Sequence, residues 1–350
     1  MTLPSTTTDT PAGTAHWISR HGVTPGRDHL RRGIPCQDAA LTLTDPRPAL
    51  ILCDGRGSAP HAEQGSTAAL RCFRDWLDMA EPFLQATLDA PGEPAPENFP
   101  EAWNRLSLSL YRALARVQQR LAAQRGGLPR DYEFTAVAFI GGRIRGGWFS
   151  VGDSVLTAEQ NGRLYRLGRS DCGEHANETR FVRPIQDGAP AFYAGLLAMP
   201  GLTAVAGYSD GTAARFHDLR NDTPARAVSQ LAALLRQGEL SEPDLHELLC
   251  DRDWDAATGD DRSLALLVQT EQSVQSRAET EPTRIVCPPL AHASEAAEGT
   301  AAVGGILAPV DGSPVSRVQM VLRVWIIFGL GLNLGLLIGV VALRLIHHFS

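Results

Sequence analysis

The chain has 350 residues, of which 43% are hydrophobic and 20% charged, and it carries a formal net charge of −7 at pH 7. This length allows one full-sized core plus appended segments. The negative charge argues against nucleic acid as a partner, because phosphate backbones are bound by clustered basic residues. All 32 basic residues are arginine. The usual forms of P-loop nucleotide hydrolysis, protein kinase catalysis and Schiff-base chemistry are therefore excluded, since each needs a lysine amine.

Hydrophobic periodicity predicts a mixed set of strands and helices. The predicted strands are, in chain order, 14–19, 39–43, 49–53, 134–140, 143–151, 155–159, 202–208 and 263–269. The predicted helices are 62–79, 100–124, 224–237 and 242–251. Two long helices come together in the middle of the chain and two near its end, with hairpins between them. This order favours packed antiparallel sheets flanked by helices over an alternating parallel sheet.

Composition divides the chain into four parts. Residues 1–12 are polar without the features of a signal peptide, 13–270 form the folded part, and 271–320 have the composition of a flexible linker. The segment 321–346 contains an uncharged apolar run of the length that crosses a bilayer, which predicts a transmembrane anchor and a single-pass membrane protein with a cytoplasmic catalytic domain. Three glycines on one face of that helix predict close approach of two copies as a homodimer: Gly331, Gly335 and Gly339.

Four aspartates stand at the ends of apolar, strand-like runs, each beside a glycine or a second aspartate. They are Asp54, Asp153, Asp210 and Asp260. If the strands lie side by side, several carboxylates share one small volume, where their repulsion requires a multivalent cation. The pattern therefore predicts a metal site. Taken singly, each motif is also typical of an ordinary turn, because aspartate and glycine are the residues that tight turns prefer.

Taken together and in order, these motifs resemble the metal-dependent type 2C serine/threonine protein phosphatases, particularly their bacterial branch. The segments that carry the resemblance are 22–29, Gln37-Asp38-Ala39, Asp54-Gly55-Arg56-Gly57-Ser58-Ala59, Gly152-Asp153-Ser154, Asn177-Glu178-Thr179, Ser209-Asp210-Gly211 and Asp260-Asp261-Arg262-Ser263. The resemblance implies an α+β fold, a four-layer α-β-β-α sandwich of two antiparallel sheets flanked by helices. It also implies a phosphoprotein substrate, with a cognate serine/threonine kinase as a further expected partner.

The resemblance further implies a site for two Mg²⁺ or Mn²⁺ ions, with a weaker third. Asp54 would bridge the ions and Gly55 would offer its carbonyl. Asp210 and Asp260 would complete the first ion's shell, Asp38 would hold water on the second, and Asp153 would support the third. The full set of predicted metal ligands is Asp38, Asp54, Gly55, Asp153, Asp210, Asp260 and Asp261. The predicted catalytic residues are Asp54, Asp38, Arg32 and Arg56. Hard oxygen ligands suit either metal.

Three departures from the family pattern bear on activity, and one of them is that Gly33 stands where the family most often has its phosphate-binding arginine. Better-known members have glutamate where this chain has Gln37. The neutral side chain removes one negative charge from the surroundings of the second ion and should weaken its binding. They also have histidine, the candidate proton donor to the leaving group, where this chain has Arg56. Arginine cannot donate a proton at neutral pH, so water or His61 would serve and Arg56 would bind phosphate instead. Arg32 and its neighbour Arg31 are the other candidates for binding the phosphate.

Two alternative functions remain open at this point. Gly207-Tyr208-Ser209-Asp210-Gly211 matches the nucleophile elbow of serine hydrolases, with Asp218 or Asp244 and His246 as partners. A membrane-tethered pseudophosphatase, which binds phosphoprotein without turnover, is the second, and Gln37 and Arg56 motivate it.

Overall fold

The computed structural model describes residues 16–90, 98–168, 179–185, 190–218 and 221–270. Four sequence predictions lie outside these residues: the N-terminal segment 1–12, the linker 271–320, the anchor 321–346 and the glycine face within that anchor. The folded part predicted for residues 13–270 begins, as described, with a strand at His16 and ends with a strand at Thr270.

Twelve strands are present in the described residues. They are β1 (His16–Thr24), β2 (Ala39–Leu43), β3 (Ala49–Cys53), β4 (Ala136–Gly141), β5 (Arg145–Val151), β6 (Val155–Gln160), β7 (Arg163–Leu167), β8 (Tyr193–Ala198), β9 (Leu202–Tyr208), β10 (His217–Asp218), β11 (Thr223–Pro224) and β12 (Arg262–Thr270). The six α-helices are α1 (Arg27–Arg32), α2 (Ala62–Leu84), α3 (Asn98–Arg125), α4 (Asp210–Phe216), α5 (Arg226–Gln237) and α6 (Glu242–Cys250).

Ten of the strands form two five-stranded sheets with antiparallel pairing throughout. One sheet has the order β1-β12-β9-β6-β7 and the other the order β2-β3-β4-β5-β8, while β10 and β11 form a small separate ribbon. The predicted strands 39–43, 49–53 and 202–208 match β2, β3 and β9 residue for residue.

The two sheets pack face to face, with helices on both outer surfaces. The alternation of side chains along β3 demonstrates this, since successive residues of a strand point to opposite faces. Leu50 and Leu52 lie in the core between the sheets, whereas Ile51 and Cys53 lie in the core beneath α2 and α3. A third core packs α4, α5 and α6 against the outer face of β9 and β12. The predicted α+β sandwich of two antiparallel sheets and helices is confirmed.

None of the described helices combines the length and the apolar character that crossing a lipid bilayer requires. This finding contradicts the predicted localisation as a single-pass membrane protein with a cytoplasmic catalytic domain. That prediction rested on the composition of 324–343 and on the absence of signal-peptide features at the N-terminus.

Candidate active site

The pairing registers bring five aspartates to one edge of the sandwich. In one sheet, Ala39 pairs with Cys53 and Ala136 with Val151, so that Asp38, Asp54 and Asp153 leave their strands at the same end. In the other sheet, Tyr208 pairs with both Val155 and Leu264. Asp210 and Asp260 therefore stand at the corresponding end, where β9 finishes and β12 begins.

Asp54 is the centre of this aspartate cluster. Its pKa is raised well above the ordinary value by burial and by repulsion from four other carboxylates, those of Asp38, Asp210, Asp153 and Asp260. Such repulsion acts only over short distances, so all five carboxylates share one small volume. The structure thus brings the side chains of these five aspartates together at one edge of the sandwich.

Asp210 begins α4, and its carboxyl group is hydrogen-bonded to Asp54 and to the backbone N–H of Gly211. Burial, followed by repulsion from Asp153 and Asp260, raises its pKa to about 6. The residue as a whole is exposed, but the carboxyl group is enclosed by the other acids. Asp260 is likewise exposed, so the cluster is open to solvent and to a substrate on that side.

Asp38 links the two sheets. It precedes β2 in one sheet, and its Oδ2 accepts a 2.7 Å hydrogen bond from the Ser263 hydroxyl on β12 in the other. Ser209 also hydrogen-bonds this carboxyl group. Burial is the main reason that the pKa of Asp38 is raised to about 8, with repulsion from Asp261 and Asp210 adding to it and the two serine hydrogen bonds opposing it. Sequence analysis did not identify the two serines as partners of this site.

Asp153 is placed by a glycine turn between β5 and β6. Gly152 has a φ of +97°, a left-handed conformation that strongly favours glycine, and a side chain there would run into Thr135. The Thr179 hydroxyl donates a 2.6 Å hydrogen bond to Asp153 Oδ2. Thr135 in turn lies 2.9 Å from the Ser154 hydroxyl and accepts a bond from the Asp54 N–H. The Asp54 and Asp153 segments are thus fixed against each other.

Asp261 differs from its neighbour Asp260. It is 3% exposed, and its oxygens accept hydrogen bonds from the N–H groups of Gly26 and Gln37 and pair with His29 Nδ1, all within 2.6–2.7 Å. His29, Asp260 and Asp261 also bring one ligand-type atom each within 4.8 Å of one another. Because three groups of the protein already occupy its oxygens, Asp261 ties the α1 segment to β12, and it is left out of the ligand set proposed below.

The remaining predicted residues differ in their burial and in their contacts. Gly55 is buried and donates its N–H to the Gln37 carbonyl. Arg32 is exposed in the last turn of α1. Arg56 donates a 2.6 Å hydrogen bond to Glu133, a residue that sequence analysis did not single out. His61 stacks on Tyr132, with 5.3 Å between the ring centroids.

The serine hydrolase alternative fails on the surroundings of Ser209. Its side chain is fully buried, and its hydroxyl accepts a hydrogen bond from the N–H of Ser263 while also contacting Asp38. The Asp244 carboxylate accepts hydrogen bonds from the N–H and the hydroxyl of Ser241 at the start of α6, and His246 contacts Cys250 on the same helix. Among the described residues no histidine contacts Ser209, so this buried serine lacks the base that would activate it as a nucleophile.

Close packing at the start of α4 yields a first testable prediction. A methyl group on Gly211 would overlap the backbone carbonyl of Asp261. Gly211→Ala is therefore expected to push α4 away from β12 and to lower the free energy of unfolding by about 1–3 kcal/mol, measured by urea titration. Gly57→Ala, where no atom lies within 4 Å of the new methyl group, is the control and should change stability little. Equal effects of the two substitutions would contradict the packing argument.

Comparison with known proteins gives a family match. A model of the protein phosphatase 2C family matches residues 25–250, more than half of the chain. No curated protein sequence matches significantly.

Solved structures are also similar to this one. The serine/threonine phosphatase Stp1 from Staphylococcus aureus is 13% identical, with 75% of this chain and 99% of that chain covered and a TM-score of 0.49. PppA, a regulatory component of T6SS in Pseudomonas aeruginosa, is 15% identical, with 73% and 98% covered and a TM-score of 0.46. The catalytic domain of the phosphatase PstP, in complex with two manganese ions, is 14% identical, with 74% and 100% covered and a TM-score of 0.48. At these identities, the family assignment depends on the sequence match.

Proposed function

The chain belongs to the protein phosphatase 2C family of serine/threonine phosphatases, and from this premise we propose that it hydrolyses phosphoserine and phosphothreonine in protein substrates with the help of two Mg²⁺ or Mn²⁺ ions. The enzyme class predicted from the sequence, a protein-serine/threonine phosphatase, is confirmed at the level of the family. The choice of metal, the roles of single residues and the substrate belong to the proposal.

The observation that carries the proposal is the convergence of five aspartates at one edge of the sandwich. Burial and mutual repulsion raise the pKa of Asp54, of Asp210 to about 6 and of Asp38 to about 8. Carboxylates gathered in this way are held together by a divalent cation, and oxygen-only ligands suit Mg²⁺ and Mn²⁺. The donor set therefore fits the metals that the family uses.

We assign the ligand roles as follows. Asp54 would help to hold both ions and Gly55 would offer its carbonyl. Asp210 and Asp260 would serve the first ion and Asp38 the second, while Asp153 would support a weaker third. Asp261 is omitted because protein groups already occupy its oxygens. When bound, the ion pair supplies a water of lowered pKa and stabilises the attacking and leaving oxygens at phosphorus.

Residues outside the metal ligands also contribute to the proposed reaction. Ser263 and Ser209 hold the Asp38 carboxyl group in place, so that it can orient water. Arg32, exposed in the last turn of α1, is our candidate for holding the substrate phosphate. No side-chain nucleophile is required, which agrees with the buried state of Ser209.

A phosphate-release assay separates this function from the pseudophosphatase alternative. The full chain, incubated with a phosphothreonine peptide, is expected to release phosphate with millimolar Mn²⁺ and to stop when EDTA is added. Gln37 affects the metal requirement of this assay. A neutral side chain in place of an acid weakens binding of the second ion, so a higher Mn²⁺ concentration is expected to be needed for activity. Absence of turnover at every Mn²⁺ concentration, together with retained peptide binding, would establish the pseudophosphatase instead.

We further propose that residues 13–270 form the phosphatase domain and that a serine/threonine kinase provides the phosphoprotein substrates. Co-purification of a kinase with the full chain, together with dephosphorylation of that kinase's products, is the observation that supports this pairing.

A further inference from the structure

Three chain segments lie side by side next to the aspartate cluster. The N–H of Thr135 donates to the carbonyl of Asp54 over 2.7 Å, and the N–H of Arg56 donates to the carbonyl of Glu133 over 3.0 Å. On the other side, the N–H of Val182 donates to the carbonyl of Phe134 over 2.9 Å. Glu133 is consequently the middle residue, with the segment of Arg56 on one side and the segment of Val182 and Arg183 on the other.

Glu133 binds one arginine with each of its carboxylate oxygens. Oε2 accepts a 2.6 Å hydrogen bond from Arg56 Nη1, and Oε1 accepts a 2.8 Å bond from Arg183 Nε. The Glu133 side chain is only 4% exposed, whereas those of Arg56 and Arg183 are 38% and 50% exposed. Because both guanidinium groups stay charged, the trio carries one net positive charge, and that charge faces solvent.

Other contacts fix the two arginines further. The Arg56 guanidinium lies over the ring of Phe181, 5.4 Å from its centroid. The backbone N–H of Arg183 donates a hydrogen bond to the Tyr111 hydroxyl. A guanidinium has five N–H donors in a rigid fork, so a single bond to Glu133 leaves others for a second anion. Two preorganised donor groups beside a site for an anionic substrate make an anion-binding surface, which we call the arginine clamp (Arg56, Glu133 and Arg183).

We propose that the arginine clamp binds an acidic side chain flanking the phosphorylated residue, so that the enzyme prefers phosphopeptides with aspartate or glutamate beside the phosphoresidue. This inference rests on the proposed function. Arg56 follows Asp54 by two residues, and neighbouring residues of an extended peptide are spaced by about 3.5 Å. A phosphoryl group at the aspartates therefore places the next side chains of the peptide within reach of the clamp. Charge-assisted bonds between carboxylate and guanidinium supply the selectivity.

Two phosphothreonine peptides that differ only in having aspartate or asparagine at the flanking positions test the clamp. The full chain is expected to favour the acidic peptide about tenfold in kcat/KM, mainly through KM, because only the aspartate peptide can form a charge-assisted hydrogen bond to the half-exposed guanidinium of Arg183. Arg183→Gln is expected to remove most of this preference. Arg130→Gln, an equal charge change at an exposed arginine outside the clamp, is the control and should keep the preference.

A purely structural ion pair predicts a different result. In that case Arg183→Gln would lower the unfolding temperature, and the ratio of kcat/KM between the two peptides would stay at the wild-type value. Arg183→Gln leaves the buried Glu133 paired with Arg56 alone, so the double variant Arg183→Gln, Glu133→Gln provides a second test in which no buried carboxylate has lost a guanidinium partner. An unchanged ratio in both variants, or no preference in the wild type, would overturn the proposal.

Failure of the proposed function is recognised separately. If the wild type hydrolyses neither peptide, the phosphatase reaction is refuted, and the clamp is then tested by binding. Fluorescence anisotropy with the same labelled peptides gives the ratio of their Kd values without turnover. An approximately tenfold ratio that Arg183→Gln removes supports the clamp, and equal Kd values refute it.

Discussion

Replacing Asp54 by asparagine is expected to lower Mn²⁺-dependent release of phosphate from a phosphothreonine peptide by more than about 10²-fold. Asparagine has nearly the same size but lacks the negative charge at the centre of the cluster, where four other carboxylates act on Asp54. Changing a residue that merely supports a metal ligand costs about 10–100-fold in affinity or activity, so loss of the ligand that we propose both ions share should cost more. Steady-state kinetics and metal content by mass spectrometry check the two parts of this expectation.

The matched control for this variant is Asp78→Asn, an identical change at an exposed position on α2. It should keep both wild-type turnover and metal content. Retention of full activity by Asp54→Asn would refute the assignment of Asp54 as the shared ligand. Loss of activity with unchanged metal content would instead place its role in the chemical step.

The parts of the fold that the sequence predicted well are those with a strong apolar pattern. β3 is five buried residues in a row, and its predicted bounds match the structure. α1 was missed because Arg27–Arg32 is only six residues long and mostly polar. α4 was missed because it begins with Asp210-Gly211, a dipeptide that is typical of turns. Local propensity and tertiary packing favour different structures at that point, and packing decides.

The aspartate cluster was predictable because each acid stands at the end of a recognisable strand. Asp260 and Asp261 show the limit of that reasoning, since adjacent residues in extended chain point in opposite directions and the sequence does not say which one faces the site. The structure encloses Asp261 among three hydrogen-bonding groups and leaves Asp260 exposed.

The arginine clamp could not be found from the sequence. Glu133 and Arg183 are 50 residues apart, and they meet only because Phe134 and Val182 pair beside the site. Glu133 follows a short 3₁₀ turn and lacks any motif that would distinguish it from a surface glutamate. Contacts of this kind depend on how the ends of distant segments are stacked, and no pattern in a single segment encodes that.

Metal-free protein is expected to lose stability as the pH rises from about 4 to 8. The folded-state pKa values of Asp210, about 6, and Asp38, about 8, lie above the value of 3.8 that an unperturbed carboxyl group has. Between these pH values the folded state holds protons that the unfolded state has already released. The unfolded state then binds fewer protons, so the free energy of unfolding falls with rising pH. The loss of stability that is due to Asp210 is complete a little above pH 6, and the loss that is due to Asp38 is complete above pH 8.

Divalent cations should reverse this trend, because they bind the ionised carboxylates of the folded state. A metal at 100 times its Kd stabilises by about 2.7 kcal/mol, which corresponds to an increase in Tm of about 5–10 °C for a domain of this size. Thermal unfolding in EDTA and in Mn²⁺ at pH 5, 6, 7 and 8 measures the effect, and the gain from Mn²⁺ should increase with pH. A larger gain at pH 5 than at pH 8 would contradict the carboxylate origin.

Asp210→Asn isolates the contribution of one acid to this pH dependence. The substitution removes a charge that repels Asp54, Asp153 and Asp260. In EDTA at pH 8 the variant is therefore expected to unfold at a higher temperature than the wild type, with a shallower decline of Tm with pH. In Mn²⁺ the order reverses, because the variant has lost a ligand and gains less from the metal. A variant that is less stable than the wild type under both conditions would show that Asp210 stabilises the fold through its contacts in α4. Repulsion between Asp210 and the other aspartates would then not be the cause of the low stability of the metal-free site.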